Sequence, residues 1–304
     1  MTLRFPKPPY QVVGSKWQWH SILADFKDEF ESYDVIMDLF GGACWLSYWL
    51  QENTSHPTII CNDFDNYIDA ITDQGHIDAM NEVFFKCLDI YESCEFSDKE
   101  LSEWKSYEGR LLPPIGRKRN GTWRSEIEFQ DIKVLIASLP TRATKSLVFS
   151  RFWCGGAPAP NSINYPKPRQ IKPFEKIEGY IDTSRVLLVQ EDAIQDAEKF
   201  IGDGKRVLYI ADPPFSAVQR ASQYYDGDMT LDCSKGSPAD MIYELYFPHG
   251  DLIVFSDMEQ LAELPEPSQL WIREQNIKPF GSAKYHHPVP QRVQGAYIYQ
   301  HKED

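Results

Sequence analysis

The chain has 304 residues and a formal net charge of −14, with 42% hydrophobic and 25% charged residues, a balance typical of globular proteins. No apolar run approaches the roughly 20 residues of a membrane span, and the first residues, MTLRFPKPPY, lack the apolar region of a signal peptide. We therefore expect a cytoplasmic protein with no membrane partner, large enough for one α/β domain that carries a substantial insertion.

Five short apolar segments are each followed by polar or turn residues, a pattern typical of strands in a doubly wound parallel sheet. In chain order they are 33–39 (YDVIMDL), 58–61 (TIIC), 186–189 (VLLV), 207–210 (VLYI) and 252–255 (LIVF). The stretch ACWLSYWLQ after the first of them has the length and apolar content of a helix. The predicted fold class is α/β with a doubly wound, mostly parallel sheet, which binds ligands at the carboxyl ends of its strands.

More than a hundred residues separate the second and third predicted strands, too many for a simple crossover. Within this gap, residues 101–180 contain 14 Lys and Arg and 7 Asp and Glu, whereas the rest of the chain contains 17 basic and 38 acidic residues. A local basic patch, not the global charge, is what meets phosphates. With helical spacing over 126–139, residues 93–180 are interpreted as an inserted, mainly helical subdomain between 1–92 and 181–304.

The cysteines are scattered and show neither a Cys-x-x-Cys spacing nor a paired His at zinc-finger distance. The six positions are Cys44, Cys61, Cys87, Cys94, Cys154 and Cys233. Reduced cysteines that pack in the core are the better interpretation, and no metal site is predicted.

Acidic residues and a glycine turn follow the predicted strands. The turn from Asp38 through Gly41 and Gly42 allows a ligand to approach the backbone closely, although a tight strand-to-helix turn without a ligand fits equally well. It has no Gly-x-Gly-x-x-Gly spacing and no following Gly-Lys-Ser/Thr, which disfavours nicotinamide and nucleoside triphosphate sites. Asp63 could accept from both hydroxyls of a ribose and Asp192 from an adenine amino group. The arrangement predicts a nucleoside site without a pyrophosphate cradle.

The segment LYIADPPFS ends the fourth predicted strand with an acid, two prolines and an aromatic ring. Two prolines stiffen the turn and remove donors, so the carboxylate of Asp212 and the carbonyl of Pro213 are two acceptors that can converge on one amino group. Phe215 then offers a ring on which a planar base can stack. The pattern predicts a pocket for an amino-bearing base.

Taken in this order, the motifs resemble those of the Dam-like DNA adenine-N6 methyltransferases of phages and bacteria. The resemblance is carried by QVVGSK (11–16), DLFGG (38–42), CND (61–63), ED (191–192), DPPF (212–215) and GAYIY (295–299). QVVGSK resembles that family's N-terminal Gly-x-Lys segment, and DLFGG its methyl-donor glycine motif. CND resembles the segment with the ribose-binding acid, and ED the donor-adenine position. DPPF resembles the catalytic Asp-Pro-Pro-Tyr/Phe motif, and GAYIY the closing strand. The basic insertion falls where the family carries its target-recognition domain. Two departures are Ser15, where Gly or Asn is usual, and Cys44, where a further glycine is often found.

The resemblance implies a class I S-adenosylmethionine-dependent methyltransferase fold and site-specific methylation of the N6 amino group of a flipped adenine in double-stranded DNA. The residues that would bind the donor are Gly14, Lys16, Asp38, Phe40, Gly41, Gly42, Asp63, Asp192 and Asp212. Those that would act in catalysis are Asp212, Pro213, Pro214 and Phe215. The candidates for contacts with phosphates and base edges are Arg117, Lys118, Arg119, Arg124, Arg142, Lys145 and Arg151.

Two alternatives stay open on the sequence. One is a methyltransferase that acts on another amino base, cytosine N4 or an RNA adenine, because that amino group has the same geometry. The other is a non-catalytic relative that binds the donor or DNA, suggested by the acidic remainder and by Cys44 in the glycine motif. The expected setting is the cytoplasm of a bacterial or phage-infected cell. A monomer and a weak dimer are both compatible with the sequence, which specifies neither the recognition site nor a cognate restriction enzyme.

Overall fold

The computed structural model describes residues 7–10, 16–93, 126–152, 171–201, 204–213, 238–257, 264–274 and 293–301. The helices within these ranges are α1 (His20–Asp25), α2 (Lys27–Phe30), α3 (Trp45–Asn53), α4 (Tyr67–Thr72), α5 (Gln74–Ser93), α6 (Glu126–Ala137), α7 (Arg142–Phe152) and α8 (Pro238–Tyr246). The strands are β1 (Val35–Asp38), β2 (Thr58–Asn62), β3 (Val186–Val189), β4 (Val207–Ala211), β5 (Asp251–Asp257), β6 (Gln269–Glu274) and β7 (Val293–Tyr299). Single 3₁₀ turns occur at Lys16–Trp19, Ala197–Phe200 and Phe247–His249.

The strands form one seven-stranded sheet with the order β3-β2-β1-β4-β5-β7-β6. Strands β1 to β5 pair in parallel, and β7 runs antiparallel to both β5 and β6. The five predicted strands and the predicted closing strand at 295–299 are therefore confirmed, and β6 is an addition. The protein has an α/β fold with a mixed, mostly parallel sheet.

Apolar side chains alternate between the two faces of the sheet, as the two-residue period of a strand requires. Ile36, Ile59 and Ile253 lie in a core that also contains residues of helices α1 to α7. Their neighbours Val35 and Val254 lie in a second core with residues of α8 and of the 3₁₀ turn at Ala197–Phe200. Because both faces are covered, the central strands are apolar along their whole length, and their carboxyl ends are left as the place for polar residues.

The helices that follow β2 belong to the same core as the sheet. Helix α6 confirms the predicted helical spacing in 126–139, and it packs on α5, as does α7. Ile132 of α6 and Leu147 of α7 share one core cluster with Trp45 of α3. The division of the chain into a sheet domain and an inserted subdomain stays a prediction. None of the helices within the described ranges is long and apolar enough to cross a membrane.

Three cysteines lie in the described ranges, and all of them are free thiols with buried side chains. They are Cys44, Cys61 and Cys87. This confirms the packing interpretation for these positions.

Candidate functional site

The strand order reverses between β1 and β4, because the chain builds outward to β2 and β3 before it crosses to β4. At such a switch point the loops that leave neighbouring strands separate and open a crevice. Asp38 is the last residue of β1, and Asp212 follows the last residue of β4. The backbone N–H of Leu39 donates to the carbonyl of Ile210 at 2.9 Å, which fixes the two strand ends side by side. The fold thus brings two of the predicted site residues together.

The glycine turn after β1 is folded tightly against β2. A Cβ on Gly41 would lie 2.8 Å from the sulfur of Cys61 and 2.9 Å from the carbonyl oxygen of Asn62, so this position requires glycine. The Gly41 N–H donates to that carbonyl at 3.0 Å. Gly42 and Cys44 both have φ of +51°, in the left-handed region that a glycine adopts without strain and a cysteine does not. The turn is therefore shaped by its contact with β2, and Cys44 begins α3 in a strained conformation.

Asn62, the last residue of β2, ties three strand ends together. Its amide nitrogen donates to the carbonyl of Leu39 at 3.0 Å and to the carbonyl of Glu191 at 2.8 Å. Its amide oxygen accepts from the N–H of Glu191 at 3.1 Å. Asn62 is 2% exposed, and its bond to Leu39 is buried, whereas the two bonds to Glu191 are partly buried. Asn62 fixes the turn after β1 relative to the loop after β3.

Asp38 is buried at the end of β1 and faces α3. Its Oδ2 accepts from the hydroxyl of Ser47 at 3.0 Å. Burial raises the pKa of the Asp38 carboxyl, and the hydrogen bond from Ser47, the nearby ammonium of Lys16 and the N–H of Phe40 each lower it in part. Ser47 and the N–H of Phe40 therefore stabilise the carboxylate of Asp38 where the glycine turn begins.

Lys16 reaches the same crevice from the N-terminal segment. Its ammonium forms an ion pair with Oδ2 of Asp212, and it lies 5.1 Å from the centroid of the Phe255 ring. The side chains of Lys16 and Asp212 are 12% and 16% exposed. Burial lowers the pKa of Lys16, the carboxylate of Asp38 raises it in part, and a second carboxylate in contact also favours the charged form.

The second carboxylate oxygen of Asp212 has a different environment. Oδ1 is buried and has no hydrogen-bond partner among the described residues. A buried acceptor without a partner costs about 1–3 kcal/mol, so it marks a place where a donor from a ligand would be stabilised. Pro213, the next residue, is also buried.

The two acids predicted to contact the donor nucleoside are already engaged with backbone amides. Asp63 accepts from the N–H groups of Tyr67 and Ile68 at 2.7 and 2.8 Å, at the start of α4, and is 1% exposed. Burial raises the pKa of its carboxyl to about 6, partly offset by these two hydrogen bonds. Asp192 accepts through Oδ1 from the N–H groups of Ile194 and Gln195, both at 2.9 Å.

The three basic residues predicted on α7 have different surroundings. Arg142 pairs with Asp65 at 3.2 Å, and its guanidinium carbon lies 5.9 Å from the ring centroid of Phe64, so it links α7 to the loop after β2. The guanidinium of Arg151 lies 4.2 Å from the ring centroid of Phe174. It is also within 6 Å of two further ring centroids, those of Tyr10 and Phe84. Lys145 is half-buried on the same helix. Arg151 thus has a packing role that its charge alone does not indicate.

Several predicted site residues lie outside the described residues. They are Gly14, Arg117, Lys118, Arg119, Arg124, Pro214 and Phe215. Within the described ranges, no group of three or more His, Cys, Asp or Glu side chains is arranged to hold a metal ion.

Sequence reasoning missed three residues that shape the crevice: Asn62, Ser47 and Tyr180. The hydroxyl of Tyr180 donates to the carbonyl of Ala43 at 3.2 Å, and its ring stacks on that of Tyr48, with centroids 4.6 Å apart. The signal for Asn62 was present, because a buried amide at a strand end has to find partners for both its donor and its acceptor groups. Nothing local in the sequence signals the approach of Tyr180.

Neither a protein-family model nor a curated protein sequence matches this chain.

Proposed function

We propose that the protein is a DNA adenine-N6 methyltransferase that uses S-adenosylmethionine, with Asp212 as the residue that receives the adenine amino group. The observation that carries the proposal is the buried Oδ1 of Asp212, an acceptor with no partner in the described part of the chain, at the switch point of the sheet. An amino group that donates to this oxygen would satisfy it. The resemblance of DPPF to the family's catalytic motif supports the same assignment.

The surroundings of Asp38 support a donor site beside it. S-adenosylmethionine supplies a methyl group on a cationic sulfur, an electrophile that needs no metal. The buried carboxylate of Asp38 and the close turn at Gly41 and Gly42 present negative charge and bare backbone to a cationic ligand. Oδ2 of Asp192 could accept from a ligand amino group, since the hydrogen bonds of this side chain to the backbone are made by Oδ1. The hydroxyls of a ribose would share the oxygens of Asp63 with the backbone N–H groups of Tyr67 and Ile68. Lys16, Phe40 and Gly14 stay predicted donor contacts.

The chemistry asked of Asp212 is orientation, because an adenine amino nitrogen has its lone pair delocalised into the ring. A hydrogen bond from one amino hydrogen to Oδ1 favours the pyramidal nitrogen that attack on a methyl group requires, and this is electrostatic preorganisation. The carbonyl of Pro213 is the predicted acceptor of the second hydrogen, and Phe215 the predicted stacking partner of the flipped base. As the nitrogen–carbon bond forms, the sulfur–carbon bond of the donor would break and S-adenosylhomocysteine would leave as a neutral thioether. One amino hydrogen would then leave to solvent as a proton.

Double-stranded DNA is the proposed partner, with the basic block at 101–180 as its contact surface. Arg142 and Arg151 each have contacts within the protein. Together with Lys145 and the basic residues near 117–124, they stay predicted contacts with DNA. The class I methyltransferase fold, the target-recognition role of the insertion, and a monomeric or weakly dimeric state remain parts of this proposal.

The test is to incubate the protein with isotope-labelled donor and mixed-sequence duplex DNA, then to digest the DNA to nucleosides. We expect N6-methyladenine, and its loss in Asp212→Asn, which keeps the side-chain shape but removes the negative charge. The matched control is Asp89→Asn, the same exchange at an exposed position on α5.

The alternatives give different results in the same assay. N4-methylcytosine, or label in RNA but not in DNA, would replace adenine in DNA as the substrate. Calorimetric binding of the donor with no transfer to any polymer would indicate a non-catalytic relative. Absence of both binding and transfer would refute the proposal.

A further inference from the structure

The crevice holds a largely buried cation, Lys16, near two acids, of which Asp38 is buried and Asp212 is partly exposed. The ammonium of Lys16 contacts Oδ2 of Asp212, and Asp38 of the neighbouring strand is close enough to raise the pKa of Lys16. Phe255 of β5 presents its ring to the ammonium at 5.1 Å, and Ser47 of α3 donates to Asp38 at 3.0 Å. The thiols of Cys44 and of Cys61 on β2 also lie close enough to Asp38 to interact with it electrostatically.

The position of Lys16 is fixed by packing as well as by charge. The residue begins the 3₁₀ turn Lys16–Trp19, and the ring of Trp19 packs on that of Phe255 with centroids 4.9 Å apart. Further along the chain toward the N-terminus, Tyr10 hydrogen-bonds to the backbone of Glu175. The N-terminal segment is therefore anchored on both sides of residues 11–15, and Lys16 enters the crevice on a supported turn.

The two oxygens of Asp212 have separate tasks in this arrangement. Oδ2 binds Lys16, and Oδ1 is buried without a partner among the described residues. A cation on one oxygen orients the carboxylate and leaves the other oxygen to face a ligand donor. Lys16 and an amino group would then bind the same carboxylate without competing.

The two oxygens of Asp212 can keep these separate roles only if the carboxylate is ionised, and the ammonium of Lys16 favours that ionised form. Two carboxylates, Asp38 and Asp212, lie at adjacent strand ends with little access to water. Like charges and burial both favour the protonated form of such a pair, whereas an adjacent ammonium favours the ionised form. A protonated Asp212 would carry a donor of its own and lose acceptor capacity. The ionised form is the stronger acceptor for an amino group.

We propose that Lys16 is a positioning residue for the acceptor amino group: it binds Oδ2 of Asp212, keeps this carboxylate ionised, and turns Oδ1 toward the substrate. This inference rests on the proposed function and deepens it. It gives Lys16 a part in acceptor recognition, in addition to the donor contact expected from the sequence.

The first test does not require activity. Carbon-13 labelling of aspartate carboxyl groups, with Asp212 assigned from the signal missing in Asp212→Asn, follows its ionisation by NMR. In Lys16→Met, which removes the charge but keeps the length, the Asp212 signal should titrate at least about one pH unit higher than in the wild type. Lys16→Arg, which keeps the charge, should remain close to the wild type.

The second test uses the pH dependence of methyl transfer on the DNA substrate that the nucleoside assay identifies. In Lys16→Met, the acid limb of the kcat/KM profile should move to higher pH by the same amount as the NMR titration of Asp212. At pH values above that limb, kcat/KM should recover in part. A residue that only supports the fold would lower kcat/KM equally at every pH. Lys27→Met is the matched control, since Lys27 pairs with Glu31 on α2, away from the crevice.

The two proposals fail in distinguishable ways. If the Asp212 signal titrates at the same pH in the wild type and in Lys16→Met, the role of Lys16 is refuted whatever the protein methylates. If no polymer is methylated, the proposed function fails, and the NMR titration still decides the electrostatic role. Should Lys16→Met not fold, as judged by thermal melting, Lys16→Gln removes the charge with a polar side chain and serves the same comparison.

Discussion

Replacement of Asn62 by alanine should destabilise the protein more than any surface substitution, because one side chain holds three strand ends. The change removes the two donations from its amide nitrogen and the one acceptance by its amide oxygen. Each lost bond leaves a backbone group of Leu39 or Glu191 without its partner, at about 1–3 kcal/mol for a buried group. Because Glu191 is only half-buried and regains water in part, we expect a total loss of about 3–5 kcal/mol. That is a large share of the roughly 5–15 kcal/mol of a typical domain.

Urea unfolding followed by tryptophan fluorescence and by circular dichroism measures this loss, as a lower midpoint with an unchanged slope. Gln190→Ala is the matched control. Like Asn62, Gln190 carries a side-chain amide near the end of a strand, in this case β3. It is exposed, and its amide donates to Asn66 at 2.7 Å. Its removal should change the stability by no more than about 0.5 kcal/mol.

A second readout connects the same substitution to function. Since Asn62 fixes the carbonyl of Leu39 beside the glycine turn, calorimetric affinity for S-adenosylmethionine should fall at temperatures where the variant is still folded. An Asn62→Ala protein that unfolds within about 1 kcal/mol of the wild type would show that the turn is held elsewhere. The reasoning from the three hydrogen bonds would then be wrong.

Three further predictions concern other described residues. Gly41→Ala should lower the free energy of unfolding by about 1–3 kcal/mol in urea, because its Cβ would lie 2.8 Å from a buried sulfur and 2.9 Å from a backbone oxygen. Asp63 has a folded-state pKa raised to about 6, so the wild type loses stability as the pH rises from about 4 to about 6. Across that window, the free energy of unfolding of Asp63→Asn should rise relative to that of the wild type by up to about 3 kcal/mol. Unfolding curves at several pH values measure this difference. If the free energies of unfolding of the two proteins change equally with pH, the prediction is wrong. Arg151→Met should cost about 1–2 kcal/mol of stability, and Lys145→Met should lower the salt slope of DNA binding by about one.

The parallel strands were predictable because each is a short apolar run that ends at a polar residue. β1 is buried at every position, so its sequence shows no alternation that could be mistaken for a surface strand. β6 was missed for the opposite reason. Its sequence, QLWIRE, mixes polar and apolar residues at the edge of the sheet, and Leu270 is 40% exposed. An edge strand of this kind resembles a loop in composition.

The acids of the site were predictable from their place at strand ends, but their partners were not. Lys16 and Asp212 are separated by almost two hundred residues, and only the folded sheet brings them into contact. The charge of Arg151 gave no sign of its surroundings, because its guanidinium packs over the ring of Phe174, and its contact with DNA stays a prediction. The sequence around an arginine does not predict whether its guanidinium contacts a phosphate or an aromatic ring.

Three acids follow the central strands, and their partners separate structural carboxylates from one that serves a ligand. Asp63 has an amide on each oxygen, so the fold alone accounts for it. Asp38 has a hydroxyl from Ser47 on Oδ2 and lies beside the glycine turn, where a cationic ligand would offset its burial. Of these three, Asp212 combines a cation on one oxygen with a buried second oxygen that has no partner among the described residues. Oδ2 serves the fold through Lys16, whereas a buried Oδ1 without a partner costs stability, as is expected of a group that binds a substrate. Asp212→Asn removes the charge that pairs with Lys16 and should lower the urea midpoint, while Asp63→Asn alters the pH dependence of folding.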